Sequence, residues 1–327
     1  MKRRAVLISF GAGVGALAPL ASFAQVPAKI WRIGFLSSES ATTYARRMDA
    51  LRTGLADFGY VEGKNLVIEA RWAEGKEERL AELAADLVRV KVDVIVSHGG
   101  NPLLAAKRAT ASIPIVIAAT GDAVASGLVA SLAKPGGNIT GSTFFNVELM
   151  AKRLEILKDA LPRLTQAAVL WPPDSLLTPP VHQAMLAAAK SLKLALHRFD
   201  IRNAGELDGA FTAMARQRIG AVVVHEHPRF IANLQKIVDL AAKHRIAAIG
   251  NGELAEAGGL IGYGANLFAL YRRAGYFVDR ILKGTKPADL PVEQPTTFEF
   301  VVNMKTAKAL NIKFPQVTMI QATRVIE

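Results

Sequence analysis

The side chains of this sequence that could do chemistry stand directly after short apolar runs. In the first half of the chain they are Ser37, Ser38, Gly99, Gly100, Asn101, Thr120 and Asp122. Hydroxyls, amides and glycines make hydrogen bonds but supply no pair of nucleophile and base, so they favour binding of a polar solute. Backbone N–H groups at a helix N-terminus attract anions. We therefore expect the Gly-Gly-Asn-Pro turn at 99–102 to be an open loop that grips a carboxylate.

A second set of polar and aromatic residues follows the apolar runs of the later part of the chain: Trp171, Asp174, Ser175, His225, Glu226, Asn251 and Glu253. In open parallel sheets, ligands bind beyond the carboxyl ends of the strands. The two sets together predict a cleft, one wall of which takes a carboxylate while the other takes a cationic or hydrogen-bonding group. Trp171 would either stack on a ligand ring or fill the interior of its own half.

Several of these residues have a local alternative. Asn101, Asp122 and the serines at 37–38 could cap helices, which is the commonest role of such residues. Glu253 could pair with Arg229 or Lys243 instead of a ligand.

Metal binding is a further alternative for the second set. His225 and His227 share one strand face and have Glu226 between them, but no third ligand is evident. We therefore expect no metal and no cofactor.

Enzyme signatures are missing from the sequence. It contains no G-x-S-x-G, Walker or H-E-x-x-H motif, and its lack of cysteine excludes disulfides and thiolate catalysis. This favours a binding protein that is not an enzyme. Two rival hypotheses stay open: a hydrolase that uses Glu226 or Glu253 as its base, and a ligand sensor that acts on a membrane signalling protein.

Composition bounds the class of partner. The chain has 327 residues, is 51% hydrophobic and carries a net charge of +12. Its Lys and Arg residues alternate with Glu and Asp along amphipathic segments and form no basic tract, so we expect no nucleic-acid partner.

The first 24 residues resemble an export signal. Lys2, Arg3 and Arg4 precede an apolar stretch that ends in the small residues Ser22 and Ala24. This predicts a signal peptide cleaved near Ala24 and a periplasmic protein, with general secretory and twin-arginine export both open. The G-x-G-x-x-A spacing at 11–16 also fits a dinucleotide-binding turn. Against it, Pro19 would interrupt the helix that follows, and the segment 14–25 has no charged residue for the polar face of that helix.

From Ile30 onward, short apolar runs alternate with helical periodicity in two consecutive series. This pattern predicts an α/β protein of two doubly wound parallel-sheet lobes joined by a hinge. We expect one lobe over 29–142 plus about 265–297, and the other over 143–264 plus about 298–327. The chain would cross the hinge near 141–144, 262–265 and 295–298.

Four blocks carry a resemblance to a known family: GLADFGYVEGKNLVIEARWAEGKEERLAELAADLVRVKVDVIVSHGG (54–100), IPIVIAATGDAVASGLVASLAKPGGNITG (113–141), KRLEILKDALP (152–162) and YRRAGYFVDRILKGTKPADLPVEQPTTFEFVVNMKTAKALNI (271–312). They closely resemble the ABC transporter substrate-binding proteins of the tryptophan/tyrosine type. The resemblance implies a type I periplasmic-binding-protein fold with the ligand between two lobes. It also implies that Ser37 and Ser38, the turn at 99–101 and the turn at 120–122 form the first-lobe ligand wall.

Two departures from the family pattern bear on the ligand. Members often show Gly-Thr or Thr-Pro where this chain has His98-Gly99-Gly100-Asn101, so an amide replaces a hydroxyl, and the segment HEHPRF (225–230) is particular to this chain. The resulting expectation is a monomeric receptor that captures a small carboxylate-bearing solute, such as an aromatic amino acid. It would deliver this solute to an ABC permease in the inner membrane.

Overall fold

The computed structural model describes residues 29–144, 146–173 and 178–327. The predicted signal peptide and two of the candidate site residues, Asp174 and Ser175, lie outside these ranges. Within them, none of the helices combines the length and apolarity that crossing a bilayer requires.

The first lobe is built on a parallel sheet with the strand order β2-β1-β3-β4-β5. Its elements in chain order are β1 (Trp31–Ser37), α1 (Ala41–Ala56), β2 (Leu66–Trp72), α2 (Leu80–Arg89), β3 (Val94–His98), α3 (Gly100–Ala109), β4 (Ile115–Gly121) and β5 (Ile139–Phe144).

The chain then enters the second lobe, whose sheet has the order β12-β11-β10-β9-β8-β6-β7. Its first elements are α4 (Asn146–Ala160), β6 (Gln166–Trp171), α5 (Thr178–Ser191), β7 (Ala195–Asp200), α6 (Glu206–Arg216), β8 (Ala221–Val224), α7 (Pro228–Ile231), α8 (Leu234–Lys243), β9 (Ala247–Gly250), α9 (Gly252–Ala257) and β10 (Ile261–Gly264).

The last part of the chain visits both lobes. Helix α10 (Leu267–Leu282) returns to the first lobe and packs on α1. The remaining elements extend the second sheet: β11 (Glu299–Asn303), α11 (Met304–Leu310), α12 (Gln316–Gln321) and β12 (Arg324–Ile326). Strand β11 runs antiparallel to β10, while the other pairs in this sheet are parallel. The two-lobed α/β architecture expected from the alternating pattern is confirmed.

Each sheet is covered by helices on both faces, because alternate residues of a strand point to opposite sides. In β1, Phe35 packs with residues of α1 and α10, whereas its neighbour Leu36 packs with residues of α2 and α3. In β6, Val169 faces α4 and α5, and Leu170 faces α6 and α8. Burial on both faces explains why these strands are continuously apolar in sequence.

One predicted helix begins three residues later in the structure than the sequence predicts. The periodicity from Ile231 to Lys243 predicts a single helix, but α7 ends at Ile231 and α8 begins at Leu234. Between them Asn233 leaves the helical conformation (φ −119°, ψ 20°), and its side-chain amide donates to the carbonyl of Arg229 at 2.8 Å. Asparagine competes with the helix in this way because its side chain can satisfy a backbone group locally.

Two glycines allow α1 and α10 to approach closely. A Cβ atom added to Gly54 would lie 2.0 Å from the carbonyl oxygen of Arg272, and one added to Gly275 would lie 2.3 Å from the Gly54 carbonyl. The two backbones are therefore in direct contact, which holds α1 rigidly against the first lobe.

Substituting Gly54 by Ala is expected to lower the free energy of unfolding by about 3 kcal/mol, because the added methyl has no space. The matched control is Gly209→Ala on α6, where no atom lies within 4 Å of the new Cβ. That control should raise the free energy of unfolding by about 0.5–1 kcal/mol. Urea unfolding followed by circular dichroism measures both, and equal effects would contradict the close packing of α1 on α10.

Candidate ligand-binding cleft

The carboxyl ends of three neighbouring strands bring the first-lobe candidates side by side. Strand β3 lies between β1 and β4, so His98 stands between Ser38 and Thr120. Adjacent strands are about 4.8 Å apart, which puts Ser38 and Thr120 on the order of 10 Å from each other. A small solute could span this distance.

Two hydroxyls at these strand ends are buried without a hydrogen-bond partner. The Oγ of Ser38 and the Oγ1 of Thr120 both lack one, and each residue is only 1% exposed. Ser37, in contrast, is satisfied locally, because its Oγ accepts the N–H of Glu39 at 3.1 Å. A buried polar group without a partner is costly, so these hydroxyls are natural contacts for a solute.

The turn after β3 is not the open loop that the sequence predicts. Helix α3 begins at Gly100, so Gly99 alone separates it from the strand, and Asn101 lies in its first turn. Gly99 makes this sharp connection with a φ of +83°, which glycine adopts at little cost. Asn101 donates from its side-chain amide to Glu77 at 3.2 Å.

Asp122 is engaged in a local turn. Its Oδ1 accepts the N–H of Ala125 at 2.9 Å, and its own N–H donates to the carbonyl of Phe144. Asp122 holds a positive φ of 32°, so the backbone there is set by the turn. Its carboxylate closes this turn, and because no helix follows Asp122, the helix-capping alternative in the sequence is wrong.

The structure adds an aromatic cluster that sequence reasoning missed, formed by Phe35, Tyr44, Trp72, His98 and Tyr271. The Tyr44 ring lies 5.7 Å from that of His98 and 6.1 Å from that of Trp72. The Tyr44 hydroxyl is buried without a hydrogen-bond partner. Tyr44 lies in the first turn of the helix that follows β1, so the sequence could have indicated it as a site residue. The approach of Tyr271 from α10 depends on the fold alone.

Burial keeps this cluster uncharged. Desolvation lowers the pKa of His98 to about 3, with the nearby Arg47 charge as a smaller cause. The Nδ1 of His98 and the Tyr271 hydroxyl share a hydrogen bond of 2.8 Å. Desolvation likewise raises the pKa of Tyr44 and of Tyr271 above the ordinary range. The base of the first-lobe wall is therefore a neutral aromatic surface.

In the second lobe, Glu226 is held by a buried ion pair. Arg153 is fully buried and donates to both carboxylate oxygens of Glu226, with Nη1 at 2.9 Å from Oε2. The same guanidinium donates to the carbonyls of Tyr263 at 2.6 Å and Val224 at 3.1 Å. Because Arg153 saturates this carboxylate, Glu226 is poorly placed to act as the base of a hydrolase.

Trp171 lies in the interior of the second lobe. It is 1% exposed and packs in the core cluster formed with α4 and α5. His182 and His225 meet its ring edge-on at 5.2 and 6.2 Å. This placement favours the space-filling alternative over stacking on a ligand ring.

Contacts between the lobes close the cleft. A Cβ atom on Gly99 would lie 3.1 Å from Pro228, which begins α7 in the second lobe. Ile231 of α7 belongs to the same core cluster as Phe35, Tyr44 and Phe144 of the first lobe. The segment 225–231 thus lies directly over the end of β3.

Asn251 and Glu253 mark the start of α9. Asn251 caps the helix by accepting the N–H of Leu254 at 3.1 Å. The sequence suggested Arg229 or Lys243 as the partner of Glu253. In the structure Glu253 pairs instead with Arg47 of the first lobe at 2.6 Å. The sequence could not predict this partner, because the contact depends on how the two lobes meet.

The described residues hold no cluster of three or more histidine, aspartate or glutamate side chains arranged to bind a metal ion. His227 instead caps α7, where its Nδ1 accepts the N–H of Arg229 at 3.3 Å.

Acid is expected to destabilise the fold through two buried histidines. Burial lowers the pKa of His98 to about 3 and of His225 to about 4, from 6.5 in an exposed histidine. The unfolded chain gains protons below pH 6.5 and the folded chain does not, so stability falls as the pH decreases. Each histidine should cost about 2 kcal/mol by about pH 5.

Urea unfolding of the protein and of a His98→Gln/His225→Gln variant, at neutral pH and at about pH 5, measures this effect. The variant should lose about 4 kcal/mol less than the wild type over this interval. An identical loss in both proteins would contradict the assignment of neutral buried histidines.

Known proteins resemble this chain in sequence and in fold. A family model described as "ABC transporter substrate binding protein" matches residues 35–326. A tyrosine-binding protein of Clostridioides difficile is 26% identical over 261 residues, which are 79% of this chain and 74% of that protein.

Solved structures share the same fold. A domain from Streptococcus pneumonia in complex with L-Trp is 25% identical, with a TM-score of 0.83 over 91% of this chain and all of that one. A conserved domain protein from Vibrio cholerae has a TM-score of 0.84 at 22% identity, over 91% of this chain and 100% of that one. The ligand-free, open structure of a substrate-binding protein from Clostridium difficile has a TM-score of 0.64 at 23% identity, over 91% of this chain and 99% of that one.

Proposed function

Because the chain belongs to the family of ABC transporter substrate-binding proteins, we propose that it captures a small carboxylate-bearing solute in the cleft between its lobes. Aromatic amino acids are the first candidates. Proteins of this family act outside the cytoplasm, where they bind small molecules and deliver them to an ABC permease.

The observation that carries the proposal is the pair of buried, unpartnered hydroxyls at the ends of β1 and β4. Ser38 and Thr120 flank His98 and Gly99, and both can donate a hydrogen bond to a solute oxygen. A carboxylate offers lone pairs to several donors at once, and hydrogen bonds to a charged group are the stronger kind. A solute oxygen that accepts hydrogen bonds from Ser38 and Thr120 would remove the cost of burying these hydroxyls unpaired, and so would stabilise the closed state.

The aromatic cluster supports a solute that carries a ring. Tyr44 and Trp72 belong to the cluster beside Ser37 and Ser38, and Trp72 is half-buried. A solute ring that leaves water for a place beside the neutral side chains of Tyr44 and His98 gives up few favourable interactions. Edge-to-face contacts with these rings add to the affinity. The tyrosine-binding relative and the L-Trp complex are consistent with this class of solute.

We place the hinge at the three points where the chain passes between the sheets, near 141–144, 262–265 and 295–298. The lobes would comprise 29–142 plus about 265–297, and 143–264 plus about 298–327. Closure about this hinge brings segment 225–231 onto the end of β3. It is driven by contacts that exist only in the closed state, because a ligand shifts an equilibrium only by its differential affinity.

The proposal also includes the protein's location and partners. The segment 1–24 directs export and is cleaved near Ala24, so that the mature protein works in the periplasm as a monomer. It passes the solute to a permease in the inner membrane. It performs no catalysis on the solute and binds no nucleic acid.

Isothermal titration calorimetry tests the substrate class with L-tryptophan, L-tyrosine, L-phenylalanine, L-leucine and indole-3-propionate. We expect binding of at least one aromatic carboxylate and unchanged solute after prolonged incubation. Failure of all the aromatic carboxylates to bind would overturn the proposed class, and chemical conversion of any of them would overturn the receptor role.

Ser38→Ala and Thr120→Ala are each expected to weaken binding of the preferred solute by about tenfold, since each removes a hydrogen bond to a charged group. Ser97→Ala is the matched control, because its buried Oγ already donates to the carbonyl of Leu36 at 2.9 Å. That control should lower stability and leave affinity unchanged. Equal affinity losses in all three variants would argue against direct contact by Ser38 and Thr120.

A further inference from the structure

Arg47 and Glu253 form a buried ion pair that joins the two lobes. Arg47 lies on α1 and Glu253 in the first turn of α9. The Nη2 of Arg47 contacts the two carboxylate oxygens of Glu253 at 2.6 and 2.7 Å. The side chains are 3% and 14% exposed, so the pair is almost entirely removed from water.

Because Arg47 lies on α1 in the first lobe and Glu253 on α9 in the second, a hinge motion that moves these two helices apart breaks the pair. Opening the hinge would return both charges to water. In the closed state each charge is stabilised chiefly by the other, and loss of one partner leaves an uncompensated charge in the interior. The Nε of Arg47 already lacks a hydrogen-bond partner, which increases the dependence of this guanidinium on Glu253.

Arg47 also contacts the proposed solute site. Its guanidinium lies 5.2 Å from the ring of Tyr44, the residue whose buried hydroxyl is unpartnered, and 5.7 Å from the ring of Phe268. Its helix is fixed to the first lobe by the close contact of Gly54 with α10. Arg47 is thus held by rigid neighbours on the side of the solute and by an ion pair on the side of the second lobe.

A second carboxylate on the same helix provides the contrast. Glu256 pairs with Arg46 at 3.5 Å and with Arg324 at 2.6 Å. Arg46 and Arg324 are 71% and 46% exposed, so solvent screens these contacts.

We propose that Arg47 is a positioning residue whose ion pair with Glu253 latches the closed state and thereby sets how long the solute stays bound. This inference rests on the proposed function, in which closure of the lobes retains a solute. The latch acts after the solute has entered the open cleft. It therefore slows dissociation and leaves association unchanged.

Stopped-flow kinetics with L-tryptophan as the probe tests the latch. Glu253→Gln keeps the shape of the side chain and should raise the dissociation rate about 10- to 100-fold, with the association rate within about twofold of the wild type. The matched control Glu256→Gln should change both rates by less than about twofold. Equal effects of the two substitutions, or a loss confined to association, would overturn the latch.

The partner variant completes a double-mutant cycle. Arg47→Met should raise the dissociation rate as Glu253→Gln does. In the double variant the dissociation rate should rise by less than the product of the two single increases. Purely multiplicative effects would mean that the two residues act separately, which also overturns the proposal.

A measurement without solute separates the latch from the proposed function. The chain has no cysteine, so Glu78→Cys and Arg202→Cys on the exposed surfaces of the two lobes give a clean spin-label pair. The latch requires a short-distance, closed population in the solute-free protein that Glu253→Gln reduces and Glu256→Gln preserves. A distance distribution unchanged by Glu253→Gln overturns the latch, whereas failure of wild type to bind any aromatic probe overturns only the proposed solute class.

Discussion

Removal of polar groups from water where the two lobes meet is the constraint on which the rest of this structure depends. Ser38, Thr120 and Tyr44 are buried with hydroxyls that have no protein partner. The charges of Arg47 and Glu253 are also largely buried, and each has the other as its partner. A polar group in the interior is costly unless it is paired. In the proposed function, the unpaired hydroxyls of Ser38 and Thr120 bind the solute, and the paired charges help to hold the lobes together.

The first lobe is built to hold these groups still. Its strand ends present Ser38, His98 and Thr120 in a row, because parallel strands finish at the same edge of the sheet. Helix α1 carries Tyr44 and Arg47 and is fixed on α10 by backbone contact at Gly54. The neutrality of His98 follows from its burial. A rigid surface of this kind loses little entropy on binding, which favours affinity.

The second lobe uses its charges differently. Arg153 and Glu226 neutralise each other deep beneath the end of β8, and the carbonyls of Val224 and Tyr263 complete the set of contacts to the guanidinium. This network ties α4 to the strands on which segment 225–231 is mounted. The segment then reaches the first lobe through Pro228 and Ile231, which are apolar. The carboxylates that could suggest catalysis are in this way part of the support for the cleft.

The sequence by itself determined the α/β class and the two lobes, because strand and helix periodicity is local. It also determined which residues stand at the carboxyl ends of the strands, since each strand's end is visible in the chain. The tertiary structure alone decided that α3 starts at Gly100, that Tyr44 and Tyr271 meet His98, and that Glu253 pairs with Arg47. These contacts join residues as much as 206 positions apart. Their geometry depends on how helices and lobes pack, and no local pattern in the sequence encodes that packing.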